Sequence, residues 1–374
     1  MKMADSYSPT DRMMHRIAFK LRTPQLALAD MANSMFADRL PKFDDSPVFI
    51  TSLPRAGTTV LLEILSESPD LASHTYRDMP FVLCPMLWDK LSSGFRAEAE
   101  VRERAHADGM QVSFDSPEAF EEIIWTTFWK GKYSRDSITP WIASDRHEEF
   151  EEFFASHMGQ IRALRGEAGS PAARYVSKNN ANIARLPLLH AMYPNCKIVV
   201  PIRRPQDQIA SLMRQHERFK SMHVKDKFSL TYMSGIGHFE FGAGFKPINF
   251  GGWLDTIDIA EADNATFWMK YWLAAYTPLV SDENLILFDY EAACRDGLKH
   301  IESLATAICV PFSDKLQIAA QRLRPTLARH TFPEGSEEGL HIEIEAVYQL
   351  LRTRCIASRP GDGPGSNFTE RETS

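Results

Sequence analysis

The chain has 374 residues, enough for one large α/β domain or two smaller ones. A hydrophobic share of 44% with 24% charged residues belongs to an ordinary globular protein, not to a disordered or fibrous one. A formal net charge of −7 gives no global field favouring nucleic acid or an anionic membrane, so an anionic ligand must be held by local cations.

Five cysteines (Cys84, Cys196, Cys294, Cys309, Cys355) are odd in number and widely spaced, with no C-x-x-C pair. This argues against a disulfide framework or a zinc site and for a reducing compartment. Arg16, Lys20 and Arg22 interrupt any apolar leader, and no run of about 18 apolar residues occurs. The expectation is a cytoplasmic protein with no membrane span and no nucleic-acid partner.

In chain order, Met14, Ile17 and Leu21, then Leu28, Met31 and Met35, recur at helical spacing with Pro24 between them. They predict two short helices that cover the core. Residues 44–70 predict a strand, a loop and a helix. Residues 78–165 predict mostly helix: FVLCPMLWDKL, the charged FRAEAEVRERAHADG, then SPEAFEEIIWTTFWK and EEFEEFFASHMGQIRALRG. Ser116 caps the third of these with Pro117 at its first position, and Gly166 ends the fourth. The aromatic group Trp125, Phe128, Trp129, Tyr133 and Trp141 reads as helical core, with an apolar acceptor pocket as the alternative. Strands follow at 174–177 and 197–202.

Residues 235–252, with six glycines and four phenylalanines, predict a long loop, either a packed surface excursion or a lid. ATFWMKYWLAAYTPLV (265–280) predicts a core helix, and NLILFDYEAA (284–293) a buried strand leading into a helix. Apolar strands in βα units predict an α/β fold, a central parallel sheet flanked by helices, with a large helical insertion at about 78–170. A single domain spans 1–358, and the Pro/Gly/Ser-rich residues 359–374 predict a disordered tail.

The segment PVFITSLPRAGTTVLLEILSES (47–68) carries the strongest chemical signal. A strand, a small-residue loop and a helix start build an anion site, because the first helical N–H groups lack intrahelical partners and the helix dipole adds positive charge. Gly57 permits close approach, Thr58 and Thr59 offer hydroxyls, and Arg55 offers a fork of charged donors. A group carrying phosphate or sulfate is expected here. The ATP-type loop G-x-x-x-x-G-K-[ST] is absent, since Ser52 and Leu53 are not glycine and no Lys follows Gly57.

Pro54-Arg55-Ala56-Gly57-Thr58-Thr59 after a strand instead resembles the 5′-phosphosulfate loop of the sulfotransferases, which use 3′-phosphoadenosine 5′-phosphosulfate (PAPS). KIVVPIRRPQDQIASLM (197–213) resembles the family's 3′-phosphate site, an Arg at a strand end and a Ser eight residues on, here Arg203 and Ser211. Arg204 stands beside it as a spare cation, and Pro205 suits a first helical turn. ARYVSKNNANIARLP (173–187) supplies a Lys-Asn-Asn loop in which Lys178 carries over from the family, whereas Asn180 stands where the cytosolic members have His. Tyr290-Glu291 matches a further family pattern. The resemblance covers roughly 45–70, 172–215 and 265–310 and leaves out 85–170 and 220–260. Arg55, and Val60 in place of an adenine-stacking aromatic, look more like the protein-tyrosine and bacterial branches.

The resemblance implies a P-loop-like version of the sheet and transfer of a sulfuryl group from PAPS to a hydroxyl or amine acceptor. It implies Arg55 and Lys178 on the bridging and sulfuryl oxygens. Backbone N–H groups of Ala56, Gly57 and Thr58, with the Thr58 and Thr59 hydroxyls, hold the 5′-phosphate, and Arg203 and Ser211 the 3′-phosphate. In the protein-tyrosine and heparan branches a Glu after the first helix is the base. In SHTYRDMPF (73–81) Asp78 is the expected counterpart, with His74 second.

Two other readings stay open. One is a P-loop-type nucleotide kinase or NTPase, for which LILFD (285–289) imitates a strand ending in a metal-binding Asp. The missing Gly-Lys-Ser/Thr and the unexplained Arg203 and Ser211 count against it. The other is a non-catalytic nucleotide-binding protein. The histidines show no metal-ligand spacing, so no metal is expected. Acceptor class and oligomeric state leave no signature.

Overall fold

A computed structural model describes residues 8–92, 102–103, 111–112, 116–166, 173–324, 329–332 and 336–356. Helices α1 (Pro9–Lys20) and α2 (Arg22–Met35) come first. Strand β1 (Val48–Ile50) leads into α3 (Thr58–Leu65), followed by β2 (Leu71–Ala72) and α4 (Pro85–Ser92). A ribbon pairs β3 (Arg102–Glu103) with β4 (Gln111–Val112), and α5 (Glu122–Phe128) and α6 (Glu148–Arg165) follow. Next come β5 (Arg174–Lys178), α7 (Leu186–Met192), β6 (Lys197–Ile202), the long α8 (Pro205–Lys225) and α9 (Lys227–Gly235). The chain continues through α10 (Ala265–Tyr276), β7 (Leu285–Asp289), α11 (Tyr290–Arg295), α12 (Gly297–Ala307), α13 (Asp314–Ala320) and α14 (Glu338–Thr353).

The expected parallel sheet has strand order β2-β5-β1-β6-β7. Side chains alternate between its two faces. Phe49, Tyr175, Ile198 and Val200 enter one core with α6, α8, α10 and α14. Val48, Ile50, Val176 and Val199 enter the other with α3, α12 and α13. Ile50 pairs with Lys178 on one side and Val199 on the other. The chain leaves β1 in one direction for β2 and returns later to β6 on its far side, so the loop after β1 sits at the switch point where open α/β sheets bind ligands. Lys178 and Arg203, at the ends of β5 and β6, reach the same edge.

Several expectations are corrected. The first two helices do cover the core, but with the face one residue further round, about 100° from the predicted one. His15, Ala18, Gln25, Ala29 and Ala32 are buried, while Ile17, Leu21, Leu28, Met31 and Met35 are exposed. Pro24 falls inside the first turn of α2, where its missing N–H costs nothing, and the break comes at Leu21. Ser116 does not start a helix. Its carbonyl accepts from Tyr76 N (3.2 Å) and Pro117 bridges Thr75, so the helix is delayed to Glu122. Most of FRAEAEVRERAHADG lies outside the described residues, and its described part, β3, is a strand where helix is predicted. The 359–374 tail also lies outside. Among the described residues no helix is long and apolar enough to cross a membrane.

The 235–252 loop is anchored. Phe241, Phe245 and Phe250 are buried, each contributing about 1.5–3 kcal/mol of burial free energy. His216 Nδ1 accepts from Gly242 N (3.3 Å) and His223 Nδ1 from Ala243 N (3.1 Å), which ties the loop to α8.

Candidate active site

The loop between β1 and α3 is held from behind by side chains. Gln208 donates its Nε2 to the carbonyls of Leu53 and Pro54, both at 3.1 Å. The Tyr276 hydroxyl shares hydrogen bonds with Ser52 Oγ (2.6 Å) and Gln208 Nε2 (2.9 Å). Trp272 Nε1 donates to Gln208 Oε1 at 3.0 Å. Ser52 Oγ donates to the Pro201 carbonyl (3.0 Å), which ties the loop to β6. Gln208 buttresses the loop and is not signalled by the sequence, because one Gln in a helical run carries no spacing signal.

Two residues bend the loop. Gly57 has φ +97°, and a Cβ there would lie 2.3 Å from Cε2 of Tyr290. Only Gly fits at that point. Arg55 has φ 70°, a left-handed conformation a non-glycine residue adopts at a cost and mostly at ligand-binding turns.

The predicted donor residues come together. Arg55 Nε donates to Ser211 Oγ (3.1 Å), and Arg203 Nη1 donates to the Arg55 carbonyl (2.7 Å). The Arg203 guanidinium lies 5.6 Å from the centre of the Tyr290 ring. Its buried Nε has no hydrogen-bond partner among the described residues. Ala56 is buried, and Thr59 is half-buried in the first turn of α3. Thr58 Oγ1 donates to Asn180 Oδ1 at 3.0 Å. Arg204 is not spare, since Nε and Nη2 donate to Asp207 at 2.7 and 3.0 Å. Glu291 accepts from Arg204 N (3.0 Å), and burial raises its pKa.

Two guanidinium groups, one lysine, hydroxyls and a glycine turn at a helix start form a set of donors, with Glu291 Oε1 4.0 Å from Arg203 Nε. Such a set suits an anionic ligand with more than one charged group.

A small cavity opens beside this site. Leu53 and Pro54 form the wall it shares with the loop, while Ile138, Leu212, Phe239 and Ile248 make it apolar. Asn180, Glu122, Glu240 and Lys246 add polar groups. None of Trp125, Phe128, Trp129, Tyr133 and Trp141 lines it; Trp125 and Trp141 are buried core.

The loop carrying Lys178 and Asn180 is fixed by two adjacent buried carboxylates. Glu121 accepts from Trp125 Nε1 (2.9 Å), Asn182 Nδ2 (2.8 Å) and Ser177 Oγ. Glu122 accepts from Arg185 through both Nη atoms (2.7 and 2.8 Å), from Asn179 Nδ2 (2.8 Å) and from Tyr133 OH (2.6 Å). The Arg185 guanidinium lies 4.2 and 4.3 Å from the ring centres of Trp125 and Trp141. A buried ion pair of this kind fixes geometry more than it adds net stability, and the buried Arg185 Nε has no hydrogen-bond partner among the described residues.

Asp78 and His74 lie elsewhere, buried between the Tyr76–Asp78 turn and α6, and neither lines the cavity. Asp78 accepts from Thr75 N (3.0 Å) and Arg165 Nη2 (2.5 Å), and its Oδ2 is 3.1 Å from His74 Nδ1. Burial alone would raise its pKa, but the His74 hydrogen bond and the Arg165 charge outweigh burial and hold it at about 2. His74 Nε2 meets His157 Nε2 at 3.1 Å, and burial drives the His157 pKa well down. The cluster is a closed structural joint.

A model of the "Sulfotransferase family" matches residues 47–239. Among solved structures the chain is similar to sulfotransferase STF9 from Mycobacterium avium, at 14% identity and TM-score 0.49, covering 90% of this chain and 81% of that one. It is similar to sulfotransferase STF1 from Mycobacterium tuberculosis H37Rv at 15% identity and TM-score 0.42, with 87% and 81% covered. Mouse sulfotransferase SULT7A1 complexed with PAP aligns at 12% identity and TM-score 0.32, with 85% and 86% covered. No curated protein matches the chain.

Proposed function

The chain belongs to the sulfotransferase family, and on that premise we propose that it transfers the sulfuryl group of PAPS in line to a hydroxyl or amine acceptor seated in the apolar cavity. The observation that carries this reading is the direct linkage of Arg55, Arg203 and Ser211, three residues from two separate sequence motifs. PAPS, when bound, supplies an activated sulfuryl group and a stable phosphate leaving group. The protein's part is positioning and charge.

Arg203 and Ser211 hold the 3′-phosphate. The N–H groups of Ala56, Gly57 and Thr58 hold the 5′-phosphate together with the Thr58 and Thr59 hydroxyls. Arg55 and Lys178 neutralise charge that grows on the bridging oxygen. Gln208 and Tyr276 keep the loop from yielding when the anion enters. The apolar walls favour an uncharged, largely hydrocarbon acceptor with one hydroxyl over a saccharide or an acidic peptide.

The test is sulfate transfer from ³⁵S-labelled PAPS to a panel of phenols, alcohols, amines and sugars with EDTA present, run beside a parallel assay of ATP turnover with magnesium and no EDTA. Labelled product from an apolar phenol or alcohol in EDTA supports the reading. Turnover of ATP that needs magnesium, with no label transferred, supports the nucleotide-kinase reading.

A further inference from the structure

We propose that Glu240 takes the proton from the acceptor, and that donor binding switches this carboxylate on by drawing the Lys178 charge away from it. The inference rests on the sulfotransferase reading above and names the base of that same site.

The cavity has two carboxylates in its wall, Glu122 and Glu240. Glu122 has two donors on each oxygen: Arg185 and Asn179 on Oε2, Arg185 and Tyr133 on Oε1. A carboxylate offers about four lone-pair sites, so Glu122 has none left for a substrate proton. Glu240 carries one hydrogen bond on each oxygen. Oε1 accepts from Asn180 Nδ2 at 2.6 Å, and Oε2 lies 3.1 Å from His238 Nε2. About two lone-pair sites therefore carry no hydrogen bond from the described residues, and Glu240 lines the cavity. The His238 ring lies parallel to Phe219, 5.6 Å between centres, which fixes its angle to Glu240.

Asn180 links the two halves of the site. Its Oδ1 accepts from Thr58 Oγ1 (3.0 Å) in the donor loop, and its Nδ2 donates to Glu240. The position where cytosolic relatives carry His therefore holds a carboxylate in place, one amide away from the donor loop. The groups facing Glu240 are His238 on its own loop, Lys178 and Asn180 from the strand-end loop, and Tyr271 of α10. Burial pushes the Tyr271 phenol up, so it stays neutral.

Burial would raise the Glu240 pKa, but His238, Lys178 and the Asn180 hydrogen bond outweigh it and keep it at about 2. A carboxylate so stabilised is a poor base. Negative donor oxygens beside Lys178 neutralise its charge and add like charge near Glu240, and both effects raise the affinity of Glu240 for a proton. In the step itself, the acceptor oxygen forms a bond to sulfur while the bond from sulfur to the 5′-phosphate oxygen breaks. That oxygen keeps the electron pair beside Arg55 and Lys178, and the acceptor proton moves to an open site on Glu240.

The test is infrared titration of the carboxyl bands in wild type minus Glu240→Gln, with and without saturating PAP. The apparent pKa assigned to Glu240 should rise by about 1 to 3 when PAP binds. An unchanged value overturns the switch. With 2-naphthol and 4-nitrophenol as acceptors at neutral pH, Glu240→Gln should bind PAP about 10- to 1,000-fold tighter, because a carboxylate whose proton affinity rises on binding opposes the anion by the same factor, and should lose about 10²–10⁴ in kcat. The loss should be smaller for the more acidic 4-nitrophenol, a dependence that a merely structural role does not produce. Near-normal kcat in the PAP-binding variant overturns Glu240 as the base. If Glu240→Gln does not fold, Glu240→Asp keeps the charge and should retain measurable turnover. A wild type that binds no PAP brings down the sulfotransferase reading itself, an outcome distinct from either failure.

Discussion

The proposed donor loop and the proposed acceptor cavity share a wall at Leu53 and Pro54, yet they are built by different means. The donor side is mostly backbone shape from one continuous stretch, completed by Arg203 and Ser211 from the matching turn after β6, the neighbour of β1 in the sheet. The acceptor side is made of side chains from α5, the Lys178–Ala181 loop, α8, the Phe-rich loop and α10. The first needs Gly57 and a left-handed Arg55 at fixed positions, so its sequence is constrained and local. The second needs only apolar surface of the right shape, which many sequences supply. A protein built this way can keep one donor while changing acceptors.

The largest expected effect lies in the support beneath both regions. Arg185→Met leaves Glu122 buried without its guanidinium and should cost about 3–5 kcal/mol in urea unfolding. A loss under about 1 kcal/mol would mean that this pair does not hold the Lys178 loop. Gly57→Ala should act on the donor side alone. It must adopt φ +97° and displace Tyr290, so about 1–2 kcal/mol of backbone strain comes before any clash. PAP affinity measured by calorimetry should fall at least about tenfold, and unchanged affinity would break the claim that the loop's shape binds the donor.

Acid should act on the acceptor side. His216 accepts a backbone hydrogen bond from the Phe-rich loop and is therefore neutral when folded, with burial lowering its pKa to about 4. The unfolded chain protonates it near 6.5, so stability falls as pH drops from about 6.5 to about 4, by on the order of 1.4 kcal/mol per pH unit. Buried His157 adds to the same slope. Thermal midpoints that rise on acidification would contradict this sign. The smallest effect is expected from Phe239→Ala at the cavity wall: a severalfold rise in acceptor KM, about 1 kcal/mol, with PAP affinity unchanged. An equal change in PAP affinity would mean the two regions are not separable.

The same division explains what could be read from the sequence. The parallel sheet was legible because apolar strands alternate with helix signals, and the meeting of Arg55, Arg203 and Ser211 because two short motifs carry fixed spacings. Asp78 was the expected base because it stands at the right place along the chain, but in space Arg165, His74 and Thr75 enclose it. Glu240 sits in a stretch without regular periodicity and comes to Asn180 only through the tertiary fold. The outward face of α1 and α2 misled for a related reason: helical spacing marks an apolar stripe without saying whether the core lies under it. Here small residues such as Ala18, Ala29 and Ala32 allow the closer approach.

The central claim is that Arg55, Arg203 and Ser211 form one site for a nucleotide with 3′- and 5′-phosphates. Isothermal titration of wild type and Arg203→Ala with PAP, and separately with ATP and magnesium, tests it most directly. The account predicts micromolar PAP binding to wild type, weakened about 10- to 100-fold by loss of the charged donor, with ATP weaker than PAP. ATP binding with silence toward PAP, or PAP binding that Arg203→Ala leaves intact, would contradict it.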